Sequence, residues 1–174
     1  GAHLGLRRGV VDVAEASAAW APAFTAAREA LTPTAPESVV AMEHIGSTAV
    51  PGLDAKPILD IGVAVAPGTE LSSLDSWLTG AGMLLRGDAN DVRPDRMFGF
   101  ELEPMIRLAN VHILVEASPE WQYYLSFRDH LRAHASDRDA YARLKRDLAL
   151  RHPDDRLAYI AAKQDFILAR RTRD

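Results

Sequence analysis

From Met42 to Ile61 the sequence reads MEHIGSTAVPGLDAKPILDI, and this run decides the fold. A glycine–serine pair ends its first apolar segment, so the backbone can turn sharply there and present N–H groups and the Ser47 hydroxyl to an anion. Lys56 adds a positive charge. Asp60 then opens a second strand-like segment, in which side chains alternate between two faces. The run therefore predicts two strands joined by an anion-binding loop, with a carboxylate beside that loop.

This run is similar to the pattern E-H-I-G-S-T-[SA]-V-P-G-L-x-A-K-P-I-[IL]-D-I of the GrpB family, which is placed within the nucleotidyltransferase-like fold. Residues 107–113 and 118–134 continue the resemblance, which covers most of the chain. It implies an α/β (α+β) architecture: a nucleotidyltransferase-like mixed β-sheet flanked by helices, with a helical C-terminal part at residues 118–174. It also implies a transferase that acts on a nucleotide or another phosphorylated small molecule.

Size and composition limit the class of protein. With 174 residues, 48% of them hydrophobic, residues 1–174 are expected to form one domain, with residues 1–10 partly disordered or left over from cloning. The formal net charge of −4 argues against general nucleic-acid binding, which depends on clustered Lys and Arg. The chain has no cysteine and no apolar run long enough to span a bilayer, so we expect a cytoplasmic protein without a membrane partner.

Apolar spacing predicts the elements of the N-terminal half. Four apolar residues at helical spacing, from Trp20 to Leu31, predict a helix over residues 14–31 that stops before a proline-rich connector. Further apolar patterns predict strands over residues 38–45 and 58–65 and a second helix over residues 71–78.

The second half begins with a polar segment. Residues 86–96 are rich in Asp, Gly and Asn, which predicts an exposed loop that could act as a lid. Two strands are expected after it, over residues 97–100 and 111–115. The last third is predicted to be helical, because Ser118 is a good N-cap before a proline, and Asp154 can cap a final helix.

The carboxylate pattern departs from ordinary nucleotidyl transfer. That reaction normally uses two strand carboxylates at positions i and i+2, which share one face and hold metal ions. Asp60 takes the first position here, and Gly62 stands in the second. The resemblance implies the same, since the GrpB pattern generally has no acid there. We therefore expect Asp60 to be catalytic and to hold a divalent metal, Mg or Mn.

His112 offers a partner for Asp60. In a strand that turns Val111 and Ile113 toward the core, His112 points to the opposite face, where we expect Asp60. There it would act as a catalytic base or as a second metal ligand. His44 would add a further ligand, and two histidines with one carboxylate favour Zn, Fe or Mn over Mg. The alternative is that both histidines are hydrogen-bonded structural groups that orient the loop.

Phosphate-binding residues are expected on the loop and at basic positions that match the family: Gly46, Ser47, Lys56, Arg107, Arg128 and Lys163. Arg107 can hold a phosphate through two parallel hydrogen bonds. Arg132 and Lys145 also match family positions, on predicted helices where a cation is usually a solvated surface charge. Asn110 stands where the family has a histidine, so that position cannot be protonated.

The residues and the family resemblance leave three functions open. The first is a nucleotidyltransferase-like enzyme, metal-assisted through Asp60 and His112. The second is a non-catalytic domain that binds a nucleotide or coenzyme A, or that regulates a partner. It is implied by the resemblance, because GrpB-like domains also occur joined to dephospho-coenzyme A kinase. The third is a metal-dependent enzyme of another reaction, with the His and Asp group as its centre.

Overall fold

A computed structural model describes residues 3–90 and 94–171 of the chain. Within these residues one mixed sheet is flanked by helices, as predicted for the α/β (α+β) nucleotidyltransferase-like architecture. Its strands are β1 (Leu6–Arg7), β2 (Val39–Ile45), β3 (Leu59–Val65), β4 (Leu84–Gly87), β5 (Arg96–Glu103) and β6 (Ile106–Val115). Its α-helices are α1 (Trp20–Leu31), α2 (Asp75–Gly80), α3 (Pro119–Ala133), α4 (Ala135–Arg151) and α5 (Arg156–Arg171). None of the helices in the described part combines the length and the hydrophobicity that crossing a bilayer requires.

The strand order places β3 and β6 side by side in the middle of the sheet. The order is β2-β3-β6-β5-β4, and β1 pairs with the start of β6. β3 and β6 run parallel, with Asp60 beside Asn110 and Gly62 beside His112, while β2 and β5 pair with them antiparallel. Because paired residues share a face, Asp60, Asn110 and His112 all project from the same side of the sheet.

The other side of the sheet carries the main hydrophobic core. Alternate residues of the central strands, such as Ile61, Val63 and Val111, are fully buried. They pack against Phe24 of α1 and Trp77 of α2. This alternation of core and polar positions fixes the register, because a shift by one residue would bury Asp60 and expose its apolar neighbours.

α3 covers the polar side of the sheet through one tryptophan. The Ser118 side chain accepts a hydrogen bond from the Trp121 N–H and so caps the helix, as predicted. Trp121 then packs on Ala64 and Leu114. A Cβ atom at Gly62 would lie 2.8 Å from Trp121 Cζ3, so glycine is what allows the indole to reach the sheet.

The last two helices close the end of the sheet that carries the glycine–serine turn. Leu131 of α3 and Tyr141 of α4 pack against Val50 and Leu53 of the loop between β2 and β3. Tyr159 of α5 is buried with Leu148 and with Val11 of the N-terminal segment. The N-terminal segment therefore meets the C-terminal helices beside the loop.

Several element bounds differ from those predicted. α1 begins at Trp20, because Ala14 instead forms an antiparallel bridge with Ala55. The predicted second helix is a short 3-10 turn, Leu71–Leu74, followed by α2. Asp155, rather than Asp154, accepts the capping bond of α5, from the Ala158 N–H. β1 lies within residues 1–10, and α5 extends to Arg171.

The proposed lid is shorter than residues 86–96. Arg86 lies in β4, and Arg96 is buried at the start of β5, where it pairs with Asp75 and Asp88. Residues 91–93 lie outside the described residues. Asp95, just before β5, is 5% exposed and belongs to the site instead.

Replacing Gly62 by alanine is expected to destabilise the protein. The new methyl group would displace Trp121 from a filled space, an overpacking that typically costs about 1–3 kcal/mol. Gly80→Ala is the matched control, because no atom lies within 4 Å of its added Cβ and alanine favours the helix. Denaturant unfolding would measure both. A Gly62→Ala protein as stable as the unsubstituted chain would contradict this packing.

Candidate functional site

The turn after β2 is shaped to receive a carboxylate. Gly46 has a φ of 71°, in the left-handed region that favours glycine, and Ser47–Ala49 forms a 3-10 turn after it. A Cβ atom at Gly46 would lie 2.7 Å from Asp60 Oδ2. Glycine is thus needed twice here, for its backbone conformation and for the contact with Asp60.

Asp60 and Asp95 hold the ring of His112 between them. His112 Nε2 lies 3.0 Å from Asp60 Oδ1, and Nδ1 lies 2.6 Å from Asp95 Oδ2. Asn110 Nδ2 donates to the same Asp60 oxygen over 3.1 Å. Since each ring nitrogen faces a carboxylate oxygen, this arrangement is satisfied when both nitrogens carry hydrogen, which makes the ring an imidazolium.

The charges of Asp60, Asp95 and His112 stabilise one another. Burial alone would lower the pKa of His112, but its hydrogen bonds to Asp60 and Asp95 raise it to about 9. Burial acts to raise the pKa of Asp60, and the bonds from His112 and Asn110, with the Lys56 charge, bring it below its ordinary value. At neutral pH the group is therefore two carboxylates around one cation.

A cavity of about 330 Å³ opens beside Asp60 and His112. Its wall includes parts of the turn, the central strands, the N-terminal segment and both last helices. Within the described residues one carboxylate, that of Asp60, lines it together with the His112 ring and seven lysine and arginine side chains: Arg7, Arg8, Lys56, Arg107, Lys145, Arg156 and Lys163. We call it the cationic cavity. In a chain of net charge −4, this concentration of positive charge gives the cavity an electrostatic potential that favours anions.

Three buried polar atoms of the cavity wall lack a hydrogen-bond partner among the described residues. They are Tyr159 Oη, Arg107 Nε and Asn110 Oδ1. Tyr159 is fully buried and Arg107 is 8% exposed. Because a buried polar group without a partner is costly, these atoms leave unused hydrogen-bonding capacity in the cavity wall.

The lysines of the cavity are crowded. Lys56 and Lys163 both approach the Tyr159 ring, with Nζ-to-centroid distances of 5.3 and 5.1 Å. Burial lowers the pKa of both, and that of Lys163 falls to about 8. Lys145, predicted as a surface charge, is 2% exposed, and burial holds its pKa well below the ordinary value. Its ammonium donates to the Asp54 carbonyl and lies over Tyr141, which corrects that prediction.

A second cavity of about 190 Å³ adjoins the first. Its walls are mainly aromatic and aliphatic, including Tyr123, Phe127 and Tyr141, and we call it the aromatic cavity. Both cavities share five lining residues: Ser47, Asp60, His112, Tyr124 and Lys163. The polar group around Asp60 therefore lies at the junction of a cationic and an apolar space.

Two of the predicted site residues have hydrogen-bond partners within the chain. His44 pairs with Ile61 on the core side of the sheet and stacks on Phe24, with ring centroids 4.8 Å apart. It bonds Thr48 Oγ1, and burial lowers its pKa to about 4, so the predicted grouping of His44 with Asp60 and His112 around a metal is not formed. Arg128 lines the aromatic cavity, but its guanidinium donates to Glu43 and to the His44 carbonyl.

The donors at Asp60 do not fit the expected divalent metal. Both nitrogens of His112 face carboxylates, so neither offers a lone pair to an ion. A carboxylate at position 62 is excluded because Trp121 occupies that space. Across the described residues no cluster of three His, Asp or Glu side chains is arranged to hold an ion. An imidazolium takes the place that a metal ion has in the two-carboxylate arrangement.

Several site residues were missed from the sequence. Asp95 was assigned to the exposed loop. Its position directly before β5 is the signal that could have placed it beside the sheet, where it bonds His112. Arg7, Arg8 and Arg156 come from the two ends of the chain. No local pattern marks these arginines, because the pairing of β1 with β6 and the packing of the N-terminal segment on the last helices bring them to the cavity.

His112 is expected to stay protonated at neutral pH. Its folded pKa, about 9, lies above its ordinary value, so the stabilisation by its charge is complete below that ordinary value and is lost as pH rises through 9. NMR titration of the imidazoles would measure this, with His44, near 4, as the internal comparison. Asp95→Asn should lower the His112 pKa, because a neutral amide replaces a carboxylate. Titration of His112 at its ordinary pKa in both proteins would contradict the arrangement.

Comparison with known proteins shows the same fold and family. A family model described as GrpB protein matches residues 10–173. The crystal structure of conserved protein GrpB from Enterococcus faecalis superposes with a TM-score of 0.80 at 32% identity, covering 92% of this chain and 94% of that one. The Glutamate-rich protein GrpB of Alkalihalophilus pseudofirmus is 29% identical over 82% of this chain and 83% of its own length.

Longer relatives match as well. A UPF0157 protein of Pseudomonas aeruginosa is 38% identical over 78% of this chain and 55% of its own length. One from Streptomyces coelicolor is 44% identical over 61% of this chain and 53% of its own length. The chain thus spans about half the length of these relatives. With the family match over nearly all of its residues, the chain belongs to the GrpB family.

Proposed function

We propose that this protein is a nucleotidyltransferase-like enzyme that binds a nucleotide or another phosphorylated small molecule, with the phosphate in the cationic cavity. The observation that carries the proposal is the set of seven lysine and arginine side chains around a single carboxylate, in a protein of negative net charge. The unpartnered polar atoms of the cavity wall support it, since phosphate oxygens accept hydrogen bonds from arginine and from tyrosine hydroxyl groups.

Phosphate binding would relieve an unfavourable charge arrangement. The pKa of Arg107 is lowered by burial and then by the neighbouring charges of Arg156, Arg86 and Arg8. That of Lys56 is lowered by burial and by Arg156 and Arg107, against the opposite effect of Asp60. Like charges held this close destabilise the empty cavity, and a bound anion neutralises them. Lys56 and Arg107 are therefore the main phosphate ligands in this proposal.

His112 supplies the chemistry in the proposed enzyme. As an imidazolium at the junction of the cavities it can stabilise charge that develops on a phosphate oxygen or donate a proton to a leaving oxygen. When the His112 Nε2–H group turns to the phosphate, the Asp60 carboxylate accepts a hydrogen bond from another donor in its place. Asp95 keeps the ring in place through Nδ1 during the transfer. No step in this scheme needs a metal ion held by the protein.

A second candidate is a non-catalytic domain that binds a nucleotide or coenzyme A. The packing of Trp121 on Gly62 favours it, because it fills the space of the second catalytic carboxylate of ordinary nucleotidyltransferases. Both candidates bind the same ligand, but only the enzyme converts it chemically.

Removing a phosphate ligand from the cavity should weaken binding. Lys56→Met and Arg107→Met are each expected to lower the affinity for a nucleoside triphosphate or pyrophosphate about tenfold or more, because each removes a charge-assisted hydrogen bond. Arg151→Met is the control, since that side chain is 66% exposed at the end of α4 and pairs with Asp147. Isothermal titration calorimetry would compare them. Equal affinities in all three variants, or no binding by the unsubstituted protein, would refute the proposal.

His112→Gln separates the two candidates. Glutamine keeps a hydrogen-bonding side chain but cannot donate a proton as an acid, so the enzyme should retain nucleotide binding and lose turnover by about 100-fold or more. Release of pyrophosphate or phosphate from bound nucleotide would be followed alongside calorimetry. If the unsubstituted protein binds the nucleotide and never changes it, the enzyme proposal fails and the binding domain stands.

A further inference from the structure

Lysine is rare in this chain and is confined to one place. Lys56, Lys145 and Lys163 are its only lysines among 20 basic residues, and all three line the cationic cavity. Every other basic residue is arginine, including those on the exposed faces of the helices. Arginine binds phosphate at least as well as lysine but remains protonated, so lysine offers one thing that arginine cannot, an unprotonated amine.

Lys163 is the lysine placed for amine chemistry. It alone of the three lines both cavities, together with Asp60 and His112. The Lys145 ammonium is engaged by the Asp54 carbonyl, whereas the carboxylate that acts on Lys163 is that of Asp60, which lines the same two cavities. The Lys163 amine also lies over the face of Tyr159. It is therefore buried at the junction of the two cavities.

We propose that Lys163 is a nucleophile that forms an imine with a phosphorylated aldehyde or ketone. This rests on the proposed function, because the phosphate of that substrate would occupy the cationic cavity. The carbonyl carbon would then lie at the junction, and any apolar part would extend into the aromatic cavity. The substrate class is thus a small carbonyl compound with a phosphate at one end.

The groups at the junction can carry each step of imine formation. The unprotonated Lys163 amine attacks the carbonyl carbon, and the nitrogen passes one proton to the carbonyl oxygen, giving a carbinolamine. The His112 imidazolium protonates the hydroxyl group, which leaves as water. The resulting iminium nitrogen returns a proton to His112, so that one amine and one carbonyl give one imine and one water.

The charges that face Lys163 keep part of it unprotonated near neutral pH. Burial lowers its pKa to about 8, Lys56 and Arg156 act in the same direction, and Asp60 opposes them. Lys145 on α4 adds a further positive neighbour. At neutral pH an amine of ordinary pKa has about 300-fold less of the reactive form.

Reductive trapping with glycolaldehyde phosphate tests the proposal. The protein is incubated with this aldehyde and cyanoborohydride, which converts an imine to a stable secondary amine, and the modified residues are mapped by peptide mass spectrometry. Lys163 should be modified at least tenfold faster by glycolaldehyde phosphate than by glycolaldehyde, inorganic phosphate should slow the reaction, and the rate should rise with pH through about 8. The terminal α-amino group serves as the internal comparison, because its labelling should not depend on the phosphate.

Two variants complete the experiment. Lys163→Arg should yield no cavity adduct, whereas Arg151→Met, the exposed control outside the cavity, should still be trapped at Lys163. Thermal melting shows whether each variant is folded. Pyrophosphate binding without an adduct at Lys163, or with an adduct at Lys56 instead, would overturn this inference and leave the proposed function intact. Equal trapping of Lys163 by both aldehydes with no pyrophosphate binding would support the nucleophile and overturn the phosphate cavity.

Discussion

The carboxylate of Asp60 joins three parts of the chain, and the geometry of the site depends on it. One oxygen packs against the turn at Gly46, and the other accepts hydrogen bonds from Asn110 and His112 of the neighbouring strand. The turn can approach only because glycine has no side chain, and the strand is held in register because β3 and β6 are paired over seven residues. The same carboxylate offsets part of the positive charge of the cavity. A substitution there would therefore change the turn, the protonation of His112 and the cavity together.

Under the proposed function, the pairing of Asp60 with His112 would take the place that metal ions have in nucleotidyltransferases. In those enzymes two strand carboxylates hold cations that bind phosphate. Here the second strand position is filled by the packing of Trp121 on Gly62, and the second carboxylate comes from Asp95, across the ring of His112. The two acids thus share an imidazolium in place of a metal. Further positive charge comes from lysines and arginines that several elements contribute.

The sequence allowed the local parts of this arrangement to be predicted, and not the long-range ones. Alternation along single strands placed Asp60 and His112 on one face and the apolar neighbours on the other, which the pairing of β3 and β6 confirms. Strand alternation does not predict which turns and helices pack over that side of the sheet. The prediction for His44 was wrong about its side of the sheet. The number of residues between His44 and the turn does not determine which side its ring faces. Asp95 was also missed, and Lys145 was treated as solvated, although α4 buries it under α5 and the loop.

The energetics of the cavity argue that its charges are kept for a ligand rather than for the fold. A buried lysine whose pKa is lowered opposes folding while it is protonated, and this penalty is largest below its folded pKa and disappears above the ordinary one. Replacing buried charged groups by apolar residues of similar volume is often neutral or stabilising. Yet three lysines lie here under aromatic rings, in a chain that otherwise uses arginine for its cations. Asp60 offsets only part of this charge, and under the proposed function the phosphate of the ligand would offset the rest.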